Sequence, residues 1–327
     1  MSGFKTETQL QSPASPRTQL FLSIVIPAYN EKENLPQTLK ELESLVSQLG
    51  FVREHEVIVV DDHSSDGTFE FVKSLESPRV RCIRLSRQSG SHIAIRAGMA
   101  CVQGDAALFI SADGQEDPNI LDQMFKKMEK GAQIVWGMRH RREEPLLGKI
   151  LVWLAYKLIR LFIPTSGAVV DPSNADFYLL SRKAIEALNR CTEKHTSLFG
   201  LIPWLGFDQD LVEYERRGRR GGKSKWTFRS KLRYLMDWIV AFSGIPLKLI
   251  SILGFLTAAL GLAYAVFIVA YTLLGYAKPG WAETVVLILV LGGAQMMMLG
   301  VIGEYLWRTL DETRQRPLYF IERRTDE

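Results

Sequence analysis

Between Lys248 and Lys278 the chain runs for 29 residues without a charged side chain, and between Glu283 and Glu304 for another 20. A helix rises ~1.5 Å per residue and the hydrocarbon core of a bilayer is ~30 Å thick, so each run is long enough to cross a membrane as a helix. The averages conceal this. Over 327 residues the chain is 47% hydrophobic and 23% charged, values that would pass for an ordinary soluble protein. The two runs exclude a wholly soluble protein, a disordered chain and a many-span transporter. They leave a polar domain followed by a C-terminal membrane hairpin, predicted over residues 245–277 and 283–306, with 307–327 as a tail.

Charge is distributed as unevenly as apolarity. Nine basic residues lie between Arg216 and Arg233 with no acid among them, and this segment alone accounts for the formal +4. It sits just before the first span, where it should meet lipid headgroups, a phosphorylated substrate, or both. The flank before the first span and the tail are rich in Lys and Arg, while the loop between the spans carries only Lys278. Basic-residue counting then places both termini and the polar domain on the cytoplasmic side of the cell membrane. Three widely spaced cysteines (Cys82, Cys101, Cys191) make neither a disulfide framework nor a CxxC pair, as expected of a domain facing the cytosol. Residues 1–19 are polar, lack an apolar signal core and read as a flexible tail.

Solid apolar runs at 21–26, 56–60, 80–85, 106–110 and 134–138 read as buried strands. Between them, helical spacing is seen at 34–49, 67–75, 92–102 and 119–130. Such alternation predicts an α/β domain built on a mostly parallel sheet covered on both faces. Ligands bind beyond the carboxyl ends of strands in sheets of this kind. The polar clusters at Tyr29-Asn30-Glu31, Asp61-Asp62 and Asp113-Gly114-Gln115 fall at that edge. Residues 146–163 are strongly apolar, yet Lys149, Lys157 and Arg160 share one narrow face at about 100° per residue, the pattern of a helix lying in the membrane interface.

Three clusters carry a resemblance: residues 26–31 (Ile-Pro-Ala-Tyr-Asn-Glu), residues 59–68 (Val-Val-Asp-Asp-His-Ser-Ser-Asp-Gly-Thr) and residues 111–118 (Ser-Ala-Asp-Gly-Gln-Glu-Asp-Pro). Together they resemble the nucleotide-sugar site of family 2 glycosyltransferases with the GT-A fold. Downstream, residues 174–182, 204–207 and 219–226 look like the polyprenyl-phosphate branch of that family, whose bacterial members also end in two membrane spans. The resemblance implies a GT-A domain over 20–228, a juxtamembrane amphipathic helix over 229–244, and the hairpin. Three positions depart from the family pattern: Ser111 stands where an aspartate is usual, and Tyr178 and Phe199 stand where arginines are common.

The resemblance also implies roles. Pro27, Tyr29, Glu31, Asp61, Asp62, Ser111, Ala112 and Asp113 would hold the nucleotide sugar, with Asp62 at the base. Asp113, with Gln115, would hold Mg2+ or Mn2+, since hard cations take oxygen ligands and neutralise a departing diphosphate. Asp176 would act as catalytic base or orient the acceptor; a phosphate monoester with a second pKa near ~6 needs little deprotonation, and both roles stay open. Arg219, Ser224 and Lys225 would hold the lipid phosphate or the diphosphate. Gly222-Lys223-Ser224 is not a P-loop, because position 217 is Arg and no strand precedes it. The five histidines show no metal-ligand spacing.

The expected activity is inverting transfer of a sugar from an NDP-sugar, a UDP-sugar such as UDP-glucose, to undecaprenyl or another polyprenyl phosphate. The expected partners are those two substrates and the lipid bilayer, with no nucleic acid; self-association into a homo-oligomer stays open. A non-catalytic nucleotide-sugar-binding scaffold is the rival from another class. A processive polysaccharide synthase would need a Gln-x-x-Arg-Trp motif and further spans, which this chain lacks.

Overall fold

The computed structural model describes residues 19–139, 175–194, 196–215, 245–276 and 280–327. The expected interfacial helix, the loop at 164–173 and the basic run with Arg219, Ser224 and Lys225 lie outside the described residues.

Eight strands form one sheet: β1 (Leu20–Ala28), β2 (Val52–Asp61), β3 (Val80–Leu85), β4 (Ala106–Phe109), β5 (Ile134–Arg139), β6 (Ala175–Ser181), β7 (Gln209–Tyr214) and β8 (Ile321–Arg324). Their order is β7-β5-β6-β4-β1-β2-β3-β8. The pairs β1–β2, β1–β4, β2–β3 and β5–β7 are parallel, whereas β6 runs antiparallel to both of its neighbours and β8 antiparallel to β3. The sheet is therefore mixed and mostly parallel, the GT-A arrangement that the sequence implies.

The crossovers between the parallel strands are α1 (Leu35–Gln48), α2 (Thr68–Lys73) and α3 (Ser91–Met99). Alternation along β1 sends Leu22, Ile24 and Ile26 to one face and Val25 to the other, and each face is buried. On the first face lie Leu35, Leu42 and Val46 of α1 and Phe125 of α4 (Leu121–Glu129). On the second lie Ala94 and Ala97 of α3, Ile185 of α5 (Arg182–Arg190) and Leu201 of α6 (Leu198–Trp204). Helix α3 lies so close to the sheet that a Cβ on Gly98 would stand 2.4 Å from a methyl of Val25 and 2.9 Å from one of Val60. Only hydrogen fits there.

After the sheet come α7 (Ile245–Leu273) and α8 (Trp281–Thr313). Within them, Ile250–Leu273 and Val286–Thr313 are long and apolar enough to cross a membrane. Side chains such as Phe255, Leu260, Leu273 and Met296 point outward, the reverse of a soluble core helix. Residues 307–327 read in sequence as a tail. Here α8 continues to Thr313, and the chain then turns back to add β8 to the edge of the sheet.

Candidate active site at the carboxyl edge of the sheet

Strands β1, β2 and β4 are parallel, so Ala28, Asp61 and Phe109 all end at the same edge, and the loops that follow are neighbours. Pro27 and Ala28 close β1, and Tyr29, Asn30 and Glu31 form the loop beyond it. Asn30 (φ 53°) and His63 (φ 60°) both adopt left-handed backbone, a conformation Asn and His tolerate better than most. The two loops are laced together. Ser64 Oγ accepts from Asn30 N at 2.9 Å, Asn30 Oδ1 from Ser65 N at 2.9 Å, Thr68 Oγ1 from Glu31 N at 3.2 Å and Asp66 Oδ2 from Lys32 N at 3.0 Å. Burial works against the Asp66 charge, but hydrogen bonds from Thr68 and Lys32 hold its carboxyl below the ordinary value.

Asp61 and Asp62 point to different neighbours. Asp61 is wholly buried: Oδ2 accepts from Arg84 Nη1 at 2.7 Å and Oδ1 from Ser64 N at 2.8 Å. Asp62 accepts from Ser89 N at 2.6 Å and Gly90 N at 2.8 Å, which ties the end of β2 to the loop opening α3. Burial, aided by the charge of Asp61, lifts the Asp62 carboxyl above its ordinary value against the pull of those two amides. For Arg84, burial acts to lower the pKa, yet Asp61 and Glu322 hold it above its ordinary value. The guanidinium stays charged. Nothing local in the sequence singles out Arg84: it is one of two arginines in β3, and its partners Asp61 and Glu322 lie 23 and 238 positions away.

Beyond β4, Ser111 Oγ lies 2.7 Å from Asp113 Oδ1 and 2.5 Å from Glu116 Oε2. Gln115 N donates to Asp113 Oδ1 at 3.3 Å, and Thr38 Oγ1 of α1 donates to the carbonyl of Ala112 at 3.0 Å. Asp113 and Glu116 are both buried. Among the described residues no group of three Asp, Glu, His or Cys side chains is placed to hold a metal ion by itself. What the loop offers a cation is an all-oxygen set of two carboxylates joined by a hydroxyl, a donor chemistry that suits Mg2+ or Mn2+. Ser111, which replaces an aspartate of the usual pattern, thus acts as the link between Asp113 and Glu116. Glu116 was missed in the sequence reading, although it directly follows Gln115.

Asp176 is the second residue of β6, which runs antiparallel to β4, so its backbone lies at the edge to which β4 carries Ser111. Phe177 pairs with Gly137 of β5 and Ala175 with Met138, leaving Asp176 as the extra residue of a bulge. Bulges re-aim a residue and are common beside active sites. Gly137 permits this one, since a Cβ there would meet the Phe177 ring at 2.4 Å.

The other two departures from the family pattern are a single event in space. Tyr178 stacks on Phe109 at 5.0 Å between centroids and meets Trp136 and Phe199 edge-on at 5.3 and 6.1 Å. Phe199 also meets His92 edge-on at 5.6 Å. Where arginines are common, this chain has a buried aromatic cluster, and burial in it pushes the His92 pKa down to about 4.

Residues 23–185 match the family model described as Glycosyl transferase family 2. The chain is similar to an uncharacterized glycosyltransferase of Synechocystis (sll0501), 35% identical over 92% of this chain and 94% of the relative. It is 30% identical to a prophage bactoprenol glucosyl transferase homolog of Escherichia coli, covering 92% and 98% of the two chains. It is 31% identical to an undecaprenyl-phosphate 4-deoxy-4-formamido-L-arabinose transferase of Klebsiella pneumoniae, covering 92% and 93%.

Proposed function

The chain belongs to glycosyltransferase family 2, and on that footing we propose that it moves a sugar from a UDP-sugar, such as UDP-glucose, to undecaprenyl or another polyprenyl phosphate at the cytoplasmic face of the cell membrane. The observation that carries this reading is one chain joining an acid-lined sheet edge, with Asp113, Ser111 and Glu116 together, to two apolar helices of membrane length. Two relatives alike over nine-tenths of the chain are named for bactoprenol or undecaprenyl phosphate, which supports the acceptor class.

In the reaction, an oxygen of the acceptor phosphate attacks the anomeric carbon, the bond from that carbon to the diphosphate breaks, and UDP leaves with the electron pair. Attack opposite the leaving group inverts the anomeric centre. Asp113, with Gln115 and Glu116 beside it, would hold Mg2+ or Mn2+, whose charge would stabilise the departing diphosphate. The Tyr29–Glu31 loop and Asp62 bracket the nucleotide. Asp61, expected to hold the nucleotide sugar, has its two oxygens taken by Arg84 and Ser64 N, and its role here is instead to hold the Ser64 turn that binds Asn30 of that loop. Asp176 orients the acceptor or takes its residual proton, and Arg219, Ser224 and Lys225 receive phosphate oxygens. The catalytic domain precedes the two apolar helices, and both termini share the catalytic side.

The test is a panel of NDP-sugars offered to membranes containing the protein and undecaprenyl phosphate, with mass spectrometry of the lipid. A polyprenyl-phospho-sugar that disappears in Asp113→Ala is the expected result. No product from any donor, with wild type and variant alike, rejects the reading.

A further inference from the structure

The residues that follow the second apolar helix are built into the donor side of the sheet. Where α8 ends, Lys194 N donates to Glu312 Oε1 at 2.7 Å and Lys194 Nζ to the Asp311 carbonyl at 2.5 Å, which latches the helix to the domain. The chain then enters the sheet. Ser86 N donates to the Phe320 carbonyl at 2.9 Å, and Cys82 and Thr325 exchange two hydrogen bonds of 2.8 and 3.1 Å. Glu322 sits on β8 where its Oε2 accepts from Arg84 Nε at 3.0 Å. The same guanidinium donates through Nη1 to Asp61 and, at 3.0 Å, to the Ser64 carbonyl.

Arg84 thus holds both a side chain and the backbone of the turn beginning at Asp61. That turn in turn grips the Asn30–Lys32 segment through four hydrogen bonds. A guanidinium fork fixed between two carboxylates has one orientation, whereas with one anion removed it can pivot about the other. Its aim toward Asp61 and Ser64 is therefore set partly from β8.

We propose that Arg84 and Glu322 are positioning residues for donor binding, so that the strand after the membrane hairpin completes the nucleotide side of the site through Glu322, Arg84 and Asp61. The inference rests on the function proposed above. Neither residue touches a reacting atom; each acts through the loops that bracket the nucleotide. The prediction therefore concerns donor affinity, with the chemical step and the lipid acceptor untouched.

The experiment uses the full chain in detergent or membranes with two variants, Glu322→Gln and Arg84→Lys, and Asp326→Asn as a control just beyond the far end of β8. Glu322 is partly exposed, which weakens its share, so Glu322→Gln should raise the donor KM and the UDP dissociation constant by roughly three- to tenfold. Arg84→Lys keeps the charge but loses the fork and should raise both by more. In both variants kcat and the acceptor KM stay within about twofold, and Asp326→Asn matches wild type. Combined, the two substitutions should cost less than the product of their separate effects, because both break one relay. Unchanged donor KM and UDP binding in both variants, while wild type binds and turns over, overturn the inference alone. A wild type that binds no nucleotide and makes no product instead overturns the functional reading, and the inference with it. Melting temperature read alongside identifies a general loss of fold, which would lower kcat and both KM-defined steps together and would equally count against a positioning role.

Discussion

At the amino half of the sheet Arg81 lies between Glu56 and Asp326, with N–O distances of 2.8 and 3.3 Å; at the carboxyl edge Arg84 lies between Asp61 and Glu322, at 2.7 and 3.0 Å. Both arginines come from β3, both bind a carboxylate of β2, and both reach an acid of the chain's last residues. Their surroundings differ. Glu56 also accepts from Ser23 Oγ at 2.6 Å and Gln103 N at 2.8 Å, and Arg81 donates to the Cys101 carbonyl at 2.5 Å, so this end is a closed network tying β1, β2 and β3 to one another. Asp61 instead governs a turn whose far side faces the loops of the candidate site. The same ion-pair chemistry stabilises a core at one end and shapes a site at the other. What separates them is what the second oxygen of the carboxylate accepts: Ser23 Oγ and Gln103 N at Glu56, Ser64 N at Asp61.

The sharpest way to break this contrast is at the closed end. Glu56→Ala leaves Arg81, with a side chain only 17% exposed, without its main partner, and should cost about 3–5 kcal/mol of stability. Urea unfolding measures the loss, and UDP binding by the surviving folded protein should be unaltered. Asp113→Asn should do the opposite: turnover falls by about a hundredfold or more, while the melting temperature moves by no more than about 2 °C. A variant that loses both together would erase the distinction between the ends.

Acid should also act on the two ends unequally. His92 follows the Gly90 that Asp62 binds, and its pKa falls from 6.5 unfolded to about 4 folded. The unfolded chain binds the proton more readily between those values, so stability is full above pH 6.5 and declines as pH falls toward 4. The decline should reach about 2 kcal/mol at pH 5. Melting curves at pH 7.5 and 5 test it, and His92→Phe should flatten the slope. The smallest effect belongs to Asp326→Asn: its pair with Arg81 is partly exposed, and less than about 0.5 kcal/mol should be lost.

What could be read from the sequence was whatever is encoded locally. Val57 to Val60 announce a buried strand, and the acids just after each such run announce its edge, because parallel strands must deliver their ends together. The charge-free runs announce the two long helices for the same reason of local composition. Partners far apart in the chain left no such trace. Ile321-Glu-Arg-Arg reads as a charged tail, and only its pairing with Leu85, Arg84 and Ile83 makes it a strand. Arg84 and Glu322 are separated by 238 positions. The bulge at Asp176 depends on Gly137, and the meeting of Tyr178 with Phe199 on packing across two elements. Such features are set by tertiary geometry, which periodicity does not report.

Strand β8 has one further consequence, for biosynthesis. Residues 321–324 leave the ribosome after both apolar helices, so the edge of β3 stands open, its Arg84 lacking Glu322, until those helices have been made. Sheet completion is thereby ordered behind synthesis of the apolar hairpin: a chain truncated before residue 321 would keep β3 as an open edge strand and leave Arg84 without the Glu322 carboxylate.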